Sequence, residues 1–150
     1  MSKLIEPPAG RQVFSLAFTA EPAHIDDNGH VNNVVYLAWA QDLAVAHWQA
    51  RQSAEHQARW AWIALRHEID YRRSLLPGEA AQGRTWVADT AEGPRFERFV
   101  RIDGPDGAMC AQVRTVWCLI EQATGRPRRV PPDLIAAFLS GAKVPGPVHG

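Results

Sequence analysis

The segment from His24 to Trp39 contains the residue types that acyl-transfer chemistry uses. A carboxylate, an amide and an imidazole occupy alternate positions as Asp26, Asn28 and His30, directly before a long run of helix-forming residues. A helix N-terminus presents unpaired N–H groups and the positive end of the helix dipole, which suits a carbonyl oxygen that becomes an oxyanion. A carboxylate beside it can act as a base, so the spacing suggests hydrolysis of an activated acyl group.

The same residues also fit a purely structural interpretation. The sequence Asp27-Asn28-Gly29 is common in turns, and Asn32 is a good helix cap. By spacing alone this interpretation is the simpler one. It does not account for His30, for Asn33 or for Tyr36 one turn further along, so both interpretations stay open at this point.

The element that would position this segment is a long helix. No proline or glycine occurs from about Asn32 to Gln52, and apolar residues recur at helical spacing. About 20 residues of helix would span roughly 30 Å. Because the helix is apolar over much of its circumference, we expect it to be covered by other elements.

Five strands and a short final helix are predicted around it. One strong amphipathic strand follows Gln57 and places Ile63, Leu65, Ile69 and Tyr71 on one face. Short turns join the later strands, so an antiparallel sheet wrapped around one helix, an α+β arrangement, is expected. The remaining predicted elements are the strands 11–19, 79–90, 95–102 and 108–120 and the helix 132–139.

The composition is that of one globular domain, residues 1–150, with an ordered core over about 11–140 and frayed ends at 7–10 and 144–150. The 16 basic and 16 acidic residues cancel, which argues against nucleic-acid binding.

If Cys110 and Cys118 share a strand, about 26 Å separates them and they cannot bond to each other. No signal peptide or membrane span is visible, so we expect a cytoplasmic protein without membrane contact.

The pattern Asp26-x-Asn28-x-His30-Val-Asn-Asn-x-x-Tyr36-x-x-Trp39 resembles the helix-start motif of hot-dog-fold thioesterases. It is similar to acyl-acyl-carrier-protein thioesterases and to acyl-CoA thioesterases of the 4-hydroxybenzoyl-CoA thioesterase superfamily. The stretches 68–79 and 124–131 also resemble that superfamily. The resemblance covers about residues 11–140 and implies a hot-dog fold, in which about five antiparallel strands wrap one central helix.

The resemblance also implies hydrolysis of acyl-CoA or acyl-carrier-protein thioesters. Asp26 matches the catalytic carboxylate, which acts as general base or as nucleophile, and Asn28 and His30 match its polar partners. The N–H groups around Val31, Asn32 and Asn33 would bind the acyl carbonyl oxygen. Many relatives have an acidic residue in place of His24, and His24 is therefore left out of the catalytic set.

Further substrate contacts are expected outside this segment. Arg128 and Arg129 belong to a basic cluster that could bind the phosphates of CoA or an acidic carrier. Tyr36 matches an aromatic helix position that suits packing more than chemistry, and it is included among the candidate binding residues. We expect no metal and no cofactor beyond the CoA of the substrate. A single short unit with exposed strand edges predicts a homodimer or homotetramer.

Two other functions stay open from the sequence. The same fold hosts hydratases, although the Asp26-x-x-x-His30 spacing does not match their acid–base pairs well. A non-catalytic acyl-CoA sensor would bind the ligand without needing Asp26. The acyl pocket itself is not defined by a motif, and the candidates for lining it are Trp39, Leu43, Trp60 and Trp62.

Overall fold

The structure is a computed structural model that describes residues 3–141; the predicted frayed segment 144–150 lies outside the described residues. Three α-helices and six strands follow one another along the chain. The helices are α1 (Asn33–Arg51), α2 (Ala54–Arg59) and α3 (Pro132–Leu139). The strands are β1 (Phe14–Thr19), β2 (Trp60–Tyr71), β3 (Ala80–Val87), β4 (Arg95–Asp103), β5 (Met109–Glu121) and β6 (Arg126–Pro127).

The strands form one antiparallel sheet in the order β1-β3-β4-β5-β2, and β6 adds two residues to the end of β5. The pairs β3–β4 and β4–β5 are joined by short turns, as expected for consecutive antiparallel strands. The helix α1 contacts β1, β3, β4 and β5. The predicted α+β architecture of a curled antiparallel sheet with one long helix is therefore confirmed.

The apolar residues between α1 and the sheet form two clusters. The first surrounds the N-terminal half of α1 and includes Tyr36, Trp39 and Leu43. The second lies beneath the C-terminal half, where Phe138 of α3 packs with Phe96 and other residues. The two clusters divide the interior into a region behind the chemical motif and an aromatic region at the opposite end of the helix.

The predicted single apolar face of β2 is wrong, because the strand contains a β-bulge. The register against β5 shifts between Ala64 and Arg66. The extra residue reverses the alternation of side chains along the strand. Ile63 and Leu65 are consequently about half exposed, whereas Ile69 packs against the first cluster.

One side of α1 is not covered by the rest of the chain. Val34 is 67% exposed and Val45 is 53% exposed. These residues and Gln41 lie at spacings of four and seven, so they share one helix face. The expectation that the helix is covered all round is therefore not met within one chain.

The N-terminal segment is ordered from residue 3, which differs from the predicted fraying. The side-chain amide of Gln112 accepts from the backbone N–H of Ile5 at 2.8 Å and donates to the carbonyl of Lys3 at 2.8 Å.

Cys110 and Cys118 lie on β5 as free thiols, which confirms that they do not bond to each other. The short helix α2, capped by Ser53, was not predicted, because six residues are too few for a periodic pattern.

Candidate active site

Residues 26–30 form a tight hairpin turn immediately before α1. Ile25 and Val31 pair as an antiparallel bridge. The Asp26 amide donates to the His30 carbonyl at 2.9 Å, and the Gly29 amide donates to the Asp26 carbonyl at 3.0 Å. Gly29 has a φ of 79°, which glycine adopts without the strain that a Cβ would impose. The turn chemistry of this segment therefore forms as the sequence predicts.

The turn brings Asp26, Asn28 and His30 together and holds the carboxylate of Asp26 through the backbone. Oδ1 of Asp26 accepts a hydrogen bond from the amide N–H of Asn28 at 2.9 Å. Asp26 is half-buried, whereas Asn28 and His30 are exposed. Within residues 3–141, neither the Asn28 amide group nor the His30 imidazole bonds to Asp26, so both are free to contact a ligand.

The N-terminus of α1 offers a narrower set of amides than the sequence suggests. The Val31 N–H donates to the Leu75 carbonyl at 3.0 Å, and the Asn32 N–H donates to the His24 carbonyl at 2.9 Å. The side chain of Asn32 caps the helix by accepting from the N–H of Val34 at 3.2 Å. Among these amides, only that of Asn33 has no acceptor in the described part of the chain.

Tyr36 and Val31 are in the protein interior rather than at the surface of the site, and each is at most 3% exposed. The Tyr36 hydroxyl accepts from the backbone N–H of Leu75 at 3.1 Å. Burial raises the pKa of Tyr36. The Tyr36 ring is buried and its hydroxyl already bonds to Leu75. Tyr36 could therefore affect substrate binding only indirectly, through the loop that contains Leu75.

An ion pair shapes that loop, which connects β2 to β3. The Arg73 guanidinium donates to both carboxylate oxygens of Glu79, at 3.1 and 2.9 Å. Glu79 also accepts from the N–H of Leu76 at 2.8 Å. The hydrogen bonds from Arg73 hold the pKa of the Glu79 carboxyl below its usual value. The pair therefore holds the two ends of the loop together, and Leu75 between them bonds to Val31 and Tyr36.

Arg128 and Arg129 lie far from the turn within one chain. They follow β6, which pairs with the last two residues of β5. The turn is near the other end of β5, where the Tyr71 hydroxyl donates to the Asn33 carbonyl at 3.2 Å. About ten residues of β5 separate the two places, which is roughly 30 Å along the strand. Both arginines are exposed.

A cavity of about 410 Å³ opens at the other end of α1. Of the predicted pocket residues, Trp60 and Trp62 line this cavity, whereas Trp39 and Leu43 belong to the first core cluster. Arg98 also lines it, and sequence reasoning missed this residue. The sequence did contain a signal for it. Arg98 is an even number of positions from Phe96, Val100 and Ile102 in β4, so it lies on the same inward face of the strand.

Within residues 3–141 no group of three His, Cys, Asp or Glu side chains is placed to hold a metal ion. No helix in the same range combines the length and apolarity needed to cross a membrane.

Comparisons with known proteins agree with this fold. The family model of the thioesterase-like superfamily matches residues 20–138. The sequence has no significant match among curated proteins. Solved structures with the same fold include a predicted thioesterase from Bacillus stearothermophilus, with a TM-score of 0.74 and 22% identity over 90% of this chain and 100% of that one.

Two other solved structures share this fold. A thioesterase from Thermus thermophilus, complexed with coenzyme A and zinc, has a TM-score of 0.73 and 20% identity over 88% of this chain and 94% of that chain. An acyl-ACP thioesterase from Bacteroides thetaiotaomicron has a TM-score of 0.73 and 21% identity over 92% of this chain and 56% of that chain. The chain therefore belongs to the thioesterase-like superfamily, with the hot-dog fold, and is a thioester hydrolase.

Proposed function

We propose that the protein hydrolyses acyl-CoA or acyl-carrier-protein thioesters with Asp26 as the catalytic carboxylate. The observation that carries this proposal is the fixed orientation of the Asp26 carboxylate, held by the Asn28 N–H at 2.9 Å, next to the N-terminus of α1. The free N–H of Asn33 supplies a donor for the acyl carbonyl oxygen. The relatives that bind coenzyme A or carry the name acyl-ACP thioesterase support both thiol carriers as candidates.

In the proposed reaction the carbonyl oxygen accepts from the Asn33 N–H, and Asp26 removes a proton from water as the water oxygen bonds to the carbonyl carbon. The carbon–sulfur bond then breaks, and the thiolate leaves and takes up a proton. In the nucleophilic alternative, a carboxylate oxygen of Asp26 attacks the carbonyl carbon, the carbon–sulfur bond breaks and the thiolate leaves. Water then hydrolyses the mixed anhydride and releases the free acid and the Asp26 carboxylate. Neither route requires a cofactor besides the CoA or carrier arm of the substrate.

The exposed side chains of the turn have separate roles in this proposal. The Asn28 amide group holds the attacking water or the substrate carbonyl. The His30 imidazole donates a proton to the leaving thiolate. Two free thiols at Cys110 and Cys118 fit a reducing compartment, and the cytoplasm is the proposed location.

A second copy of the chain completes the proposed site. β2 is an edge strand of the sheet in the described residues, and one face of α1 is uncovered. Because Arg128 and Arg129 lie about 30 Å from the turn of their own chain, they would contact CoA bound at the turn of another copy. Light scattering should give at least twice the chain mass of 16.6 kDa. A monomeric mass would contradict this assembly.

Free-thiol release from a panel of short, long and aromatic acyl-CoAs tests the activity, and carrier-protein thioesters form a second panel. Hydrolysis of any member supports the proposal and gives the acyl preference. Binding of these thioesters without thiol release would indicate a sensor instead. Hydration of crotonyl-CoA without thiol release would indicate a hydratase.

A further inference from the structure

Six of the 13 residues that line the cavity at the C-terminal half of α1 are aromatic. Four of the six tryptophans of the chain face this one space, together with two phenylalanines. Its size is within the range of small-molecule sites. The aromatic lining residues are Trp48, Trp60, Trp62, Phe96, Trp117 and Phe138.

A buried cation forms part of the wall. Arg98 is only 6% exposed. Its Nη1 donates to Nδ1 of His47 and to Oγ1 of Thr85, both at 2.9 Å, and its guanidinium lies over the Phe138 ring at 5.3 Å. No carboxylate in residues 3–141 lies within ion-pair distance of Arg98, whereas Arg73 and Arg101 each pair with two.

The surroundings of Arg98 leave its charge uncompensated. Burial lowers the pKa of Arg98 to about 9, so the group stays positive at pH 7. Burial, together with Arg98 and Arg51, lowers the pKa of His47 to about 2, so His47 is a neutral acceptor. A buried charge without an opposite charge is costly to fold, which points to a ligand that supplies the anion.

A second donor in the same wall lacks an acceptor. The indole Nε1 of Trp117 is buried and has no hydrogen-bond partner in the described residues. Buried polar groups are normally paired, and an unpaired donor costs about 1–3 kcal/mol. A guanidinium in a cavity with aromatic walls matches a carboxylate attached to an apolar body.

The uncovered face of α1 runs along the helix from this cavity towards the proposed active site. Val34, Gln41 and Val45 lie on that face, and Gln41 and Val45 also line the cavity. From Asn33 to His47, which contacts Arg98, the helix rises about 21 Å. An acyl group held at Asn33 would therefore need a chain of about 20 Å to reach Arg98.

We propose that the aromatic cavity binds the far end of a long acyl group that terminates in a carboxylate, with Arg98 as its ion-pair partner. The acyl part of this assignment rests on the proposed thioesterase function, because it places the thioester at the N-terminus of α1. The substrate class is the monothioester of a long α,ω-dicarboxylic acid. The neutral methyl end of an ordinary fatty acyl chain would leave Arg98 unpaired in the same cavity.

Matched substrates test this assignment. The ratio of kcat/KM for hexadecanedioyl-CoA to that for palmitoyl-CoA is measured in the wild type, in Arg98→Met and in Arg66→Met, a control at an exposed arginine of β2. We expect a ratio of ten or more in the wild type and in Arg66→Met, and a ratio near one in Arg98→Met. Because each ratio is taken within one variant, a general loss of activity in Arg98→Met cancels.

Two further readouts separate a binding role from a structural one. Replacing a buried unpaired cation by an apolar side chain should leave the Tm of Arg98→Met equal to or above that of the wild type. Trp117→Phe keeps an aromatic side chain, although a smaller one, and removes the indole N–H; it should lower the substrate ratio by a smaller factor. A lower Tm in Arg98→Met with an unchanged substrate ratio would assign Arg98 to folding and overturn the proposal.

A binding measurement keeps this inference separate from the hydrolysis itself. Hexadecanedioic acid should change the fluorescence of the cavity tryptophans saturably, with at least tenfold weaker binding in Arg98→Met. If binding behaves in this way but no thioester is hydrolysed, the carboxylate site stands and the proposed thioesterase function fails. If palmitoyl-CoA is hydrolysed and the dicarboxylate has no advantage, the function stands and the carboxylate site is overturned.

Discussion

The Asp26 carboxylate accepts a hydrogen bond from the backbone N–H of Asn28 at 2.9 Å, within a turn that ends where α1 begins. The backbone therefore orients the carboxylate without help from the side chains of Asn28 or His30. These two side chains are exposed and free to meet substrate and water. A turn that would be ordinary by its sequence thus presents a carboxylate, an amide and an imidazole on one surface.

Asn28→Ala separates the two functions of this residue. The substitution keeps the backbone N–H that holds Asp26, so the Tm should stay within about a degree of the wild type. Loss of the amide group should lower kcat for acyl-CoA hydrolysis by about tenfold, or about 1.4 kcal/mol of barrier. An unchanged kcat would mean that Asn28 contributes only through its backbone.

Tyr36→Phe tests whether the buried tyrosine acts through the loop. Its hydroxyl accepts from the Leu75 N–H, and without it that buried donor is left unpaired. Denaturant unfolding should show a loss of about 1–3 kcal/mol. KM for acyl-CoA should remain within twofold of the wild-type value. Unchanged stability combined with a raised KM would instead indicate a direct contact between the hydroxyl and the substrate.

Acid should destabilise the protein through His47. Its pKa is about 2 in the folded protein, whereas a histidine exposed to water has a pKa of 6.5, so the unfolded chain binds the extra proton between these values. The free energy of unfolding contributed by His47 is complete above pH 6.5 and falls by up to about 1.4 kcal/mol per pH unit below it. Urea unfolding at pH 7 and pH 5 should reveal this dependence.

The matched variants for this pH dependence are His47→Asn, which keeps an acceptor but does not titrate, and His30→Asn at the exposed turn. The pH dependence between 5 and 7 should shrink in His47→Asn and persist in His30→Asn. An equal dependence in the wild type and in His47→Asn would show that His47 is not the titrating group.

Phosphate recognition by the β6 region can be tested with truncated substrates. The double variant Arg128→Ser/Arg129→Ser should raise KM for acyl-CoA by about tenfold, which corresponds to about 1.4 kcal/mol. KM for the acyl-pantetheine thioester, which carries no phosphate, should not change. If both substrates are affected equally, or neither is, the two arginines do not bind the CoA phosphates.

Local patterns predicted most of the fold and the turn. The absence of proline and glycine from 32 to 52 and the cap at Asn32 predict α1, which spans Asn33–Arg51. The segment 26–30 combines turn residues with a glycine that adopts a positive φ. These features depend on residues that are close together in the sequence, so they can be predicted from the sequence alone.

The remaining features depend on partners that are distant in sequence. The bulge near Leu65 is defined by the register with β5, so the exposure of Ile63 and Leu65 could not be predicted from the pattern of β2 alone. The buried pair of Arg98 and His47 joins residues 51 positions apart. The inward parity of Arg98 was visible, but an arginine at an inward position has no local explanation until its cavity is known.

The proposed reaction depends on Asp26 to activate the hydrolysis of an acyl thioester. Its most direct test compares kcat/KM for one acyl-CoA in Asp26→Asn and in Asp27→Asn, the adjacent exposed carboxylate of the same turn. Asp26→Asn should lose at least 100-fold, or about 2.7 kcal/mol, whereas Asp27→Asn should stay within about threefold of the wild type. Equal activity in the two variants would contradict the assignment of Asp26.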